Sequence, residues 1–248
     1  MKLILLRHGE SEWNLENRFT GWKDVSLTPS GKEEAKFSAN QLLKNKFNIS
    51  SVYTSILNRA IETTDIVCNI IDYPKEKIIF DWRLNERHYG ALQGLNKSET
   101  ALKYGEEQVH IWRRSYSIQP PLLSNDDKRH PRFNSKFKKL NIDLPIGESL
   151  EDVTNRINPF LKEYLSNIKN SSTDHIIIAH SNSLRAIIKL LDKLSQDRIT
   201  EINIPTGVPL VYELDSKLNI LSKEYLINKR ELKKKQDLII MQGRKNNG

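Results

Sequence analysis

The chain has 248 residues, a net charge of +8, and a single cysteine, Cys68. That length fits one large α/β domain or two small ones, with enough chain to bury a sizeable core. One cysteine excludes an internal disulfide and a thiolate metal site. No apolar run reaches the ~20 residues of a membrane span, and the start lacks the layout of a signal peptide, so the expected location is the cytoplasm. Much of the charge is local. From Asn228 onward, Lys229, Arg230, Lys233, Lys234, Lys235, Arg244 and Lys245 stand against Glu231 and Asp237, a net of +5. No nucleic-acid motif accompanies it, so neither nucleic acid nor membrane is expected as a partner; a basic cleft for a small polyanion explains the balance equally well. The chain is accordingly read as one domain over 1–228 followed by a basic, mobile C-terminal tail over 229–248.

Leu3 to Leu6 form a continuous apolar run, short enough to be a strand covered on both faces. It ends in Arg7-His8-Gly9, which puts a cation and an imidazole at a strand's carboxyl edge, where open α/β sheets bind ligands. Gly9 lets the backbone turn and come close to a ligand. Thr28-Pro29 starts a helix that runs to about Lys44. Val52 to Ser55 is a short strand, and Arg59 follows it at the start of a helix over Asn58–Ile71, in which Cys68 reads as a small buried hydrophobe. Ile78 to Phe80 predicts a third strand. Lys97 to Tyr116 reads as two helices divided at Gly105. Pro120 to Gly147 is polar and without period, an excursion over the surface rather than a core element. Ser149 and Asp152 resemble a capping box for the helix that follows.

His175 to Ala179 is a second apolar strand, ending in His180, with a helix expected over Ser183–Lys193. Strand–helix alternation implies parallel central strands whose carboxyl ends share one edge, so His8 and His180 should face one crevice. Leu210–Leu214 and Leu221–Leu226 look like a terminal antiparallel pair. Two histidines could form a metal pair, but no third ligand stands at a suitable spacing. A histidine flanked by arginines suits phosphoryl chemistry: the neutral imidazole attacks phosphorus while cations hold the oxygens. Glu86 could serve as acid and base, or form a structural ion pair with Arg83 or Arg87.

The motifs Arg7–Asn14, Arg18-Phe19-Thr20-Gly21-Trp22, Trp82–Gly90, Leu92–Lys97, Ile111–Tyr116 and Asn203–Gly207 together resemble the cofactor-dependent phosphoglycerate mutases of the histidine phosphatase superfamily, over most of the chain. The resemblance implies a three-layer α/β sandwich with a mixed, mainly parallel sheet. It makes His8 the nucleophile that forms a phosphohistidine, Glu86 the general acid and base, and His180, Arg7 and Arg59 the groups that stabilise the transferring phosphoryl group. The implied substrate-binding set is Arg7, His8, Gly9, Glu10, Ser11, Glu12, Trp13, Asn14, Thr20, Gly21, Arg59, Glu86, Arg87, His88, Tyr89, Lys97, Arg113, Arg114, Ser181 and Asn182. The implied reaction is interconversion of 2-phosphoglycerate and 3-phosphoglycerate, primed by 2,3-bisphosphoglycerate and needing no metal, in a homodimer or other homo-oligomer. A phosphatase or a bisphosphoglycerate synthase of the same superfamily, or a non-catalytic binding protein, are the alternatives. Gly21, where synthases tend to carry serine, favours the mutase. One departure stands out: Ser181 occupies the position of a family glycine. In the tail, Lys233-Lys234-Lys235 beside apolar Leu238-Ile239-Ile240 suits a cover over the mouth of the site.

Overall fold

The computed structural model describes residues 1–241. The elements run β1 (Lys2–Arg7), α1 (Glu12–Leu15), α2 (Pro29–Lys44), β2 (Ile49–Thr54), α3 (Asn58–Ile70), β3 (Ile79–Phe80), α4 (Lys97–Tyr104), α5 (Glu106–Arg114), α6 (Ser135–Lys138), α7 (Leu150–Ile168), β4 (Asp174–Ala179), α8 (Ser181–Leu191), α9 (Gln196–Glu201), β5 (Leu210–Leu214), β6 (Ile220–Tyr225) and α10 (Lys229–Met241). The strands form one sheet in the order β3-β2-β4-β1-β5-β6. β3, β2, β4 and β1 pair in parallel, and β5 and β6 add an antiparallel edge.

The alternation within β1 and β4 explains the layers. Leu3, Leu5, Ile177 and Ala179 point to one face and pack with Val153, Ile157 and Phe160 of α7 and Leu184 and Ile187 of α8. Ile4, Leu6, Ile176 and Ile178 point to the other and meet Ala39 and Leu42 of α2 and Val67 and Cys68 of α3. Both faces of the central strands are therefore dry, as a run of four apolar residues requires. Burial pushes the Cys68 thiol up to about 12, so it behaves as core.

Local chemistry sets the helix starts. The Thr28 hydroxyl accepts from the Gly31 N–H at 3.0 Å, and Pro29 fills the first turn. Ser149 and Asp152 cap α7 reciprocally. Gly105, at φ +88°, separates α4 from α5. Two expectations need correcting. α8 begins at Ser181 rather than Ser183, because the Ser183 hydroxyl accepts from the His180 N–H at 3.1 Å and draws the turn back to the strand end. The 120–147 excursion also reaches the core: Leu123 and Phe137 are buried, and the Phe137 ring packs tilted against Trp22, centroids 5.1 Å apart. Single apolar anchors in a polar stretch carry no periodicity by which to find them.

Candidate active site

The site grows from the β1–β4 pairing. Arg7 stands opposite Ala179 in the parallel register, and the His8 N–H donates to the Ala179 carbonyl at 3.0 Å. The next residues, His8 and His180, are thereby placed side by side, ring centroids 4.9 Å apart and tilted by 60°.

The tautomer of His8 is fixed twice. Nδ1 lies 2.7 Å from the Gly9 carbonyl, which can only accept, so Nδ1 carries the proton. Nε2 lies 3.3 Å from Arg59 Nε, which can only donate, so Nε2 presents its lone pair. Burial, then Arg59 and Arg7, hold the His8 pKa well below the ordinary imidazole value. The result is a neutral imidazole whose unprotonated nitrogen is directed at a cation. His180 is likewise shifted down by burial, Arg59 and His8. Its Nε2 lies 2.6 Å from the Ser55 hydroxyl, and its buried Nδ1 has no partner among the described residues.

Arg59, at the start of α3, is spread across the site loop: Nη1 donates to the Lys23 carbonyl at 3.0 Å and Nη2 to that of Gly21 at 2.9 Å. Arg7 Nη1 donates to the Ile204 carbonyl at 2.8 Å. Glu86 makes no ion pair with Arg83, which is held by Asp81 and Glu163. Instead Glu86 Oε1 accepts three donors: the Arg87 N–H at 2.8 Å, the Asn182 N–H at 3.1 Å and Asn182 Nδ2 at 2.9 Å.

Around these groups lies a cavity lined by Arg7, His8, Asn14, Thr20, Arg59, Glu86, Tyr89, Lys97, Arg113, Arg114, Ser181 and Asn182, all expected from sequence. Asn14 is set by Ser11, whose N–H and hydroxyl both donate to its Oδ1, at 3.2 and 2.9 Å. Ser181 has no positive φ, so the serine carries no left-handed strain at the start of α8. Burial and Arg113 push the Lys97 ammonium well below its usual range.

Gly9, Glu10, Ser11, Glu12, Trp13, Gly21, Arg87, His88 and the fully buried His180 do not line the cavity. Gly9 is bare because of the helix behind it: a Cβ there would sit 2.1 Å from the Gly31 carbonyl oxygen. The Glu10 carboxylate accepts from the Thr28 hydroxyl at 2.8 Å. Glu12 is exposed and Trp13 half-buried. Gly21, at φ +56°, has its carbonyl on Arg59. Arg87 lies over the ring of Tyr89 at 4.5 Å and donates to the Trp112 carbonyl at 2.7 Å. His88 is buried beside Trp22, its pKa pushed down to about 3 by burial.

Four lining residues fall outside the sequence-derived set: Arg18, Phe19, Arg185 and Ile239. Arg185 had a signal, since it follows Asn182 by three and Ser181 by four and so shares their helix face. Ile239 belongs to α10, which is fixed by Lys235 on Glu34 at 2.6 Å and by Gln236 on the Asn203 carbonyl at 3.1 Å. Among the described residues no cluster of three or more His, Cys, Asp or Glu could hold a metal, and no helix is long and apolar enough to cross a membrane.

The sequence profile of the histidine phosphatase superfamily (branch 1) matches residues 3–221. The chain belongs to the histidine phosphatase superfamily. It is 48% identical over 245 residues to a 2,3-bisphosphoglycerate-dependent phosphoglycerate mutase of Lachnoclostridium phytofermentans, covering 98% of each chain. Among solved structures it is similar to a protein described as mycobacterial hydrolase 1, with a TM-score of 0.69, 20% identity, and 91% of this chain and 96% of that one covered. It is also similar to a mycobacterial glucosyl-3-phosphoglycerate phosphatase in complex with VO3, with a TM-score of 0.68, 21% identity, and 90% and 96% covered. At those identities the likeness speaks to the fold.

The buried histidines dictate how stability depends on pH. His8, His88 and His180 all have folded-state pKa values below the ordinary one. Below about pH 6.5 the unfolded chain therefore binds more protons than the folded one, and stability falls with pH. Stability should be lower at pH 5.5 than at pH 7.5, by roughly 1 kcal/mol for His88 alone and by more with His8 and His180. Urea unfolding at the two pH values measures the difference; equal midpoints would mean that these imidazoles are not held neutral.

Proposed function

We infer that this protein is a 2,3-bisphosphoglycerate-dependent phosphoglycerate mutase, interconverting 2-phosphoglycerate and 3-phosphoglycerate in glycolysis and gluconeogenesis. The reading is carried by the neutral His8, its Nε2 lone pair on the cavity side and held by Arg59 Nε, in a cavity where Glu86 is the one carboxylate among seven arginines and lysines of the described residues. The 48% identical mutase supports it. Such a cavity fits polyanions, since each phosphate ester carries about −1.5 to −2 at neutral pH. Bound 2,3-bisphosphoglycerate supplies the phosphoryl group that primes the cycle. Arg7, Arg59 and Asn14 line the place where that group meets His8, and the His180 ring stands beside it, 4.9 Å from the His8 ring. In transfer to the substrate, the bond from phosphorus to His8 Nε2 breaks and its electron pair returns to the ring. A bond to the hydroxyl oxygen forms, and the hydroxyl proton passes to Glu86. With Oε1 committed to three donors, Oε2 is the oxygen that takes it. The reverse step returns the same proton, so one carboxylate serves both directions.

Labelled bisphosphate should leave an acid-labile, base-stable label that His8→Ala abolishes, and 3-phosphoglycerate turnover should require added bisphosphate. Glu86→Gln should lower kcat at least about a hundredfold. Label remaining on the His8 variant, or hydrolysis without mutase turnover, would move the protein to another branch of the superfamily.

We also propose that residues 1–228 act as one catalytic domain in the cytoplasm, with α10 as its cover. The support is Ile239 in the cavity wall and the Lys235–Glu34 pair. Truncation after Asn228 should lower mutase turnover and raise hydrolysis relative to transfer, as water gains access to phosphohistidine. An unchanged ratio would leave the tail without this role. A homo-oligomer is proposed from the open edge at β3, where Ile79 and Phe80 are 42% and 49% exposed. Sedimentation should find a dimer or larger at micromolar concentration; a monomer overturns it.

A further inference from the structure

We propose that Arg185 is a positioning residue for the acid–base step, acting on Glu86 through the side-chain amide of Asn182. The inference rests on the mutase reading. Arg185 lies on α8, is 4% exposed, and is anchored by Nε on the Ile202 carbonyl at 2.8 Å. Its Nη1 donates to Asn182 Oδ1 at 3.2 Å. The other end of that amide, Nδ2, donates to Glu86 Oε1 at 2.9 Å and to the Tyr89 hydroxyl at 3.2 Å.

The chemistry of the neighbours fixes which way the amide points. A guanidinium has only donors and an ionised carboxylate only acceptors. Rotating the amide by half a turn would set NH2 against guanidinium and oxygen against carboxylate, losing both contacts and gaining two repulsions. Arg185 and Glu86 therefore hold the amide from its two ends, with Asn182 the donor toward Glu86. Without Arg185 the oxygen end of the amide loses its anchor, and the Nδ2–Oε1 bond that keeps Oε2 toward the hydroxyl loosens. A proton acceptor must lie within hydrogen-bond reach of the proton it takes, so the loss falls on the transfer step. Substrate contacts by Lys97, Arg113 and Arg114 stay as they are.

Arg185→Met keeps the length of the stem and removes every donor. It should lower kcat about tenfold, the effect of one lost charge-assisted hydrogen bond, and change KM for 3-phosphoglycerate by less than about threefold. Arg185→Lys, which can still donate to Asn182 Oδ1, should recover part of the loss. The deciding measurement repeats Arg185→Met in the Glu86→Gln background. There it should cost nothing further, because the carboxylate it positions is gone. An equal loss in both backgrounds would make the role structural, and a tenfold rise in KM at constant kcat would make Arg185 a substrate ligand. Either overturns the proposal. If Arg185→Met does not fold, Arg185→Lys in the two backgrounds carries the same comparison. A parent enzyme without mutase turnover would instead count against the functional reading on which the proposal rests.

Discussion

The constraint on which this structure turns is the holding of several buried cations around a single carboxylate without neutralising them. Arg7, Arg59, Arg87, Arg114 and Arg185 are held by carbonyl and amide oxygens. Carboxylate partners would have satisfied their donors equally well, but they would have cancelled the field. Neutral oxygens satisfy the N–H groups and leave the charge in place. A buried charge without a counter-ion is costly, and that cost is relieved only when an anion arrives. Burial first, and then the field of Arg59 and Arg7, keeps His8 unprotonated, so cations that suit an anion also help keep the imidazole neutral.

Much of that scaffold comes from three consecutive residues after α9. The Ile202 carbonyl receives Arg185, the Asn203 side chain receives Arg114, the Asn203 carbonyl receives α10 through Gln236, and the Ile204 carbonyl receives Arg7. This segment has no regular hydrogen bonding of its own to satisfy, which leaves its oxygens available. It ties the second histidine's helix, the first strand's arginine and the C-terminal helix to one short piece of chain.

The strands, the layers and the pair of histidines were legible because their cause is local. Two apolar runs, one ending in Arg7-His8 and the other in His180, leave few ways to build a sheet edge. The break at Gly105 and the caps at Thr28 and Ser149 are equally local, each a matter of one side chain or one φ. What escaped depends on contacts distant in sequence. Gly9 reads as a residue meant for a ligand, yet its bareness answers to Gly31 across the layer. Glu10 and His88 sit within site motifs while packing behind the site. The anchors Leu123 and Phe137 lie in a stretch whose polarity concealed them. Arg185 stood in plain view on the face of Ser181 and Asn182, but its purpose appears only once Ile202 and Glu86 are near it.

The register between β1 and β4 has a wider consequence. The spacing of the two imidazoles is inherited from a ladder of backbone hydrogen bonds, to which side chains contribute little. The cavity wall, by contrast, draws Lys97 from α4, Arg113 and Arg114 from α5 and Ile239 from α10, helices that pack around the ladder without belonging to it. Substitutions in those helices can therefore accumulate, and the shape of the cavity can drift toward other phosphate esters, while the reacting pair stays in tune. In such an architecture the chemistry is the conservative part and the choice of substrate the adaptable one, divided along the boundary between sheet and helix.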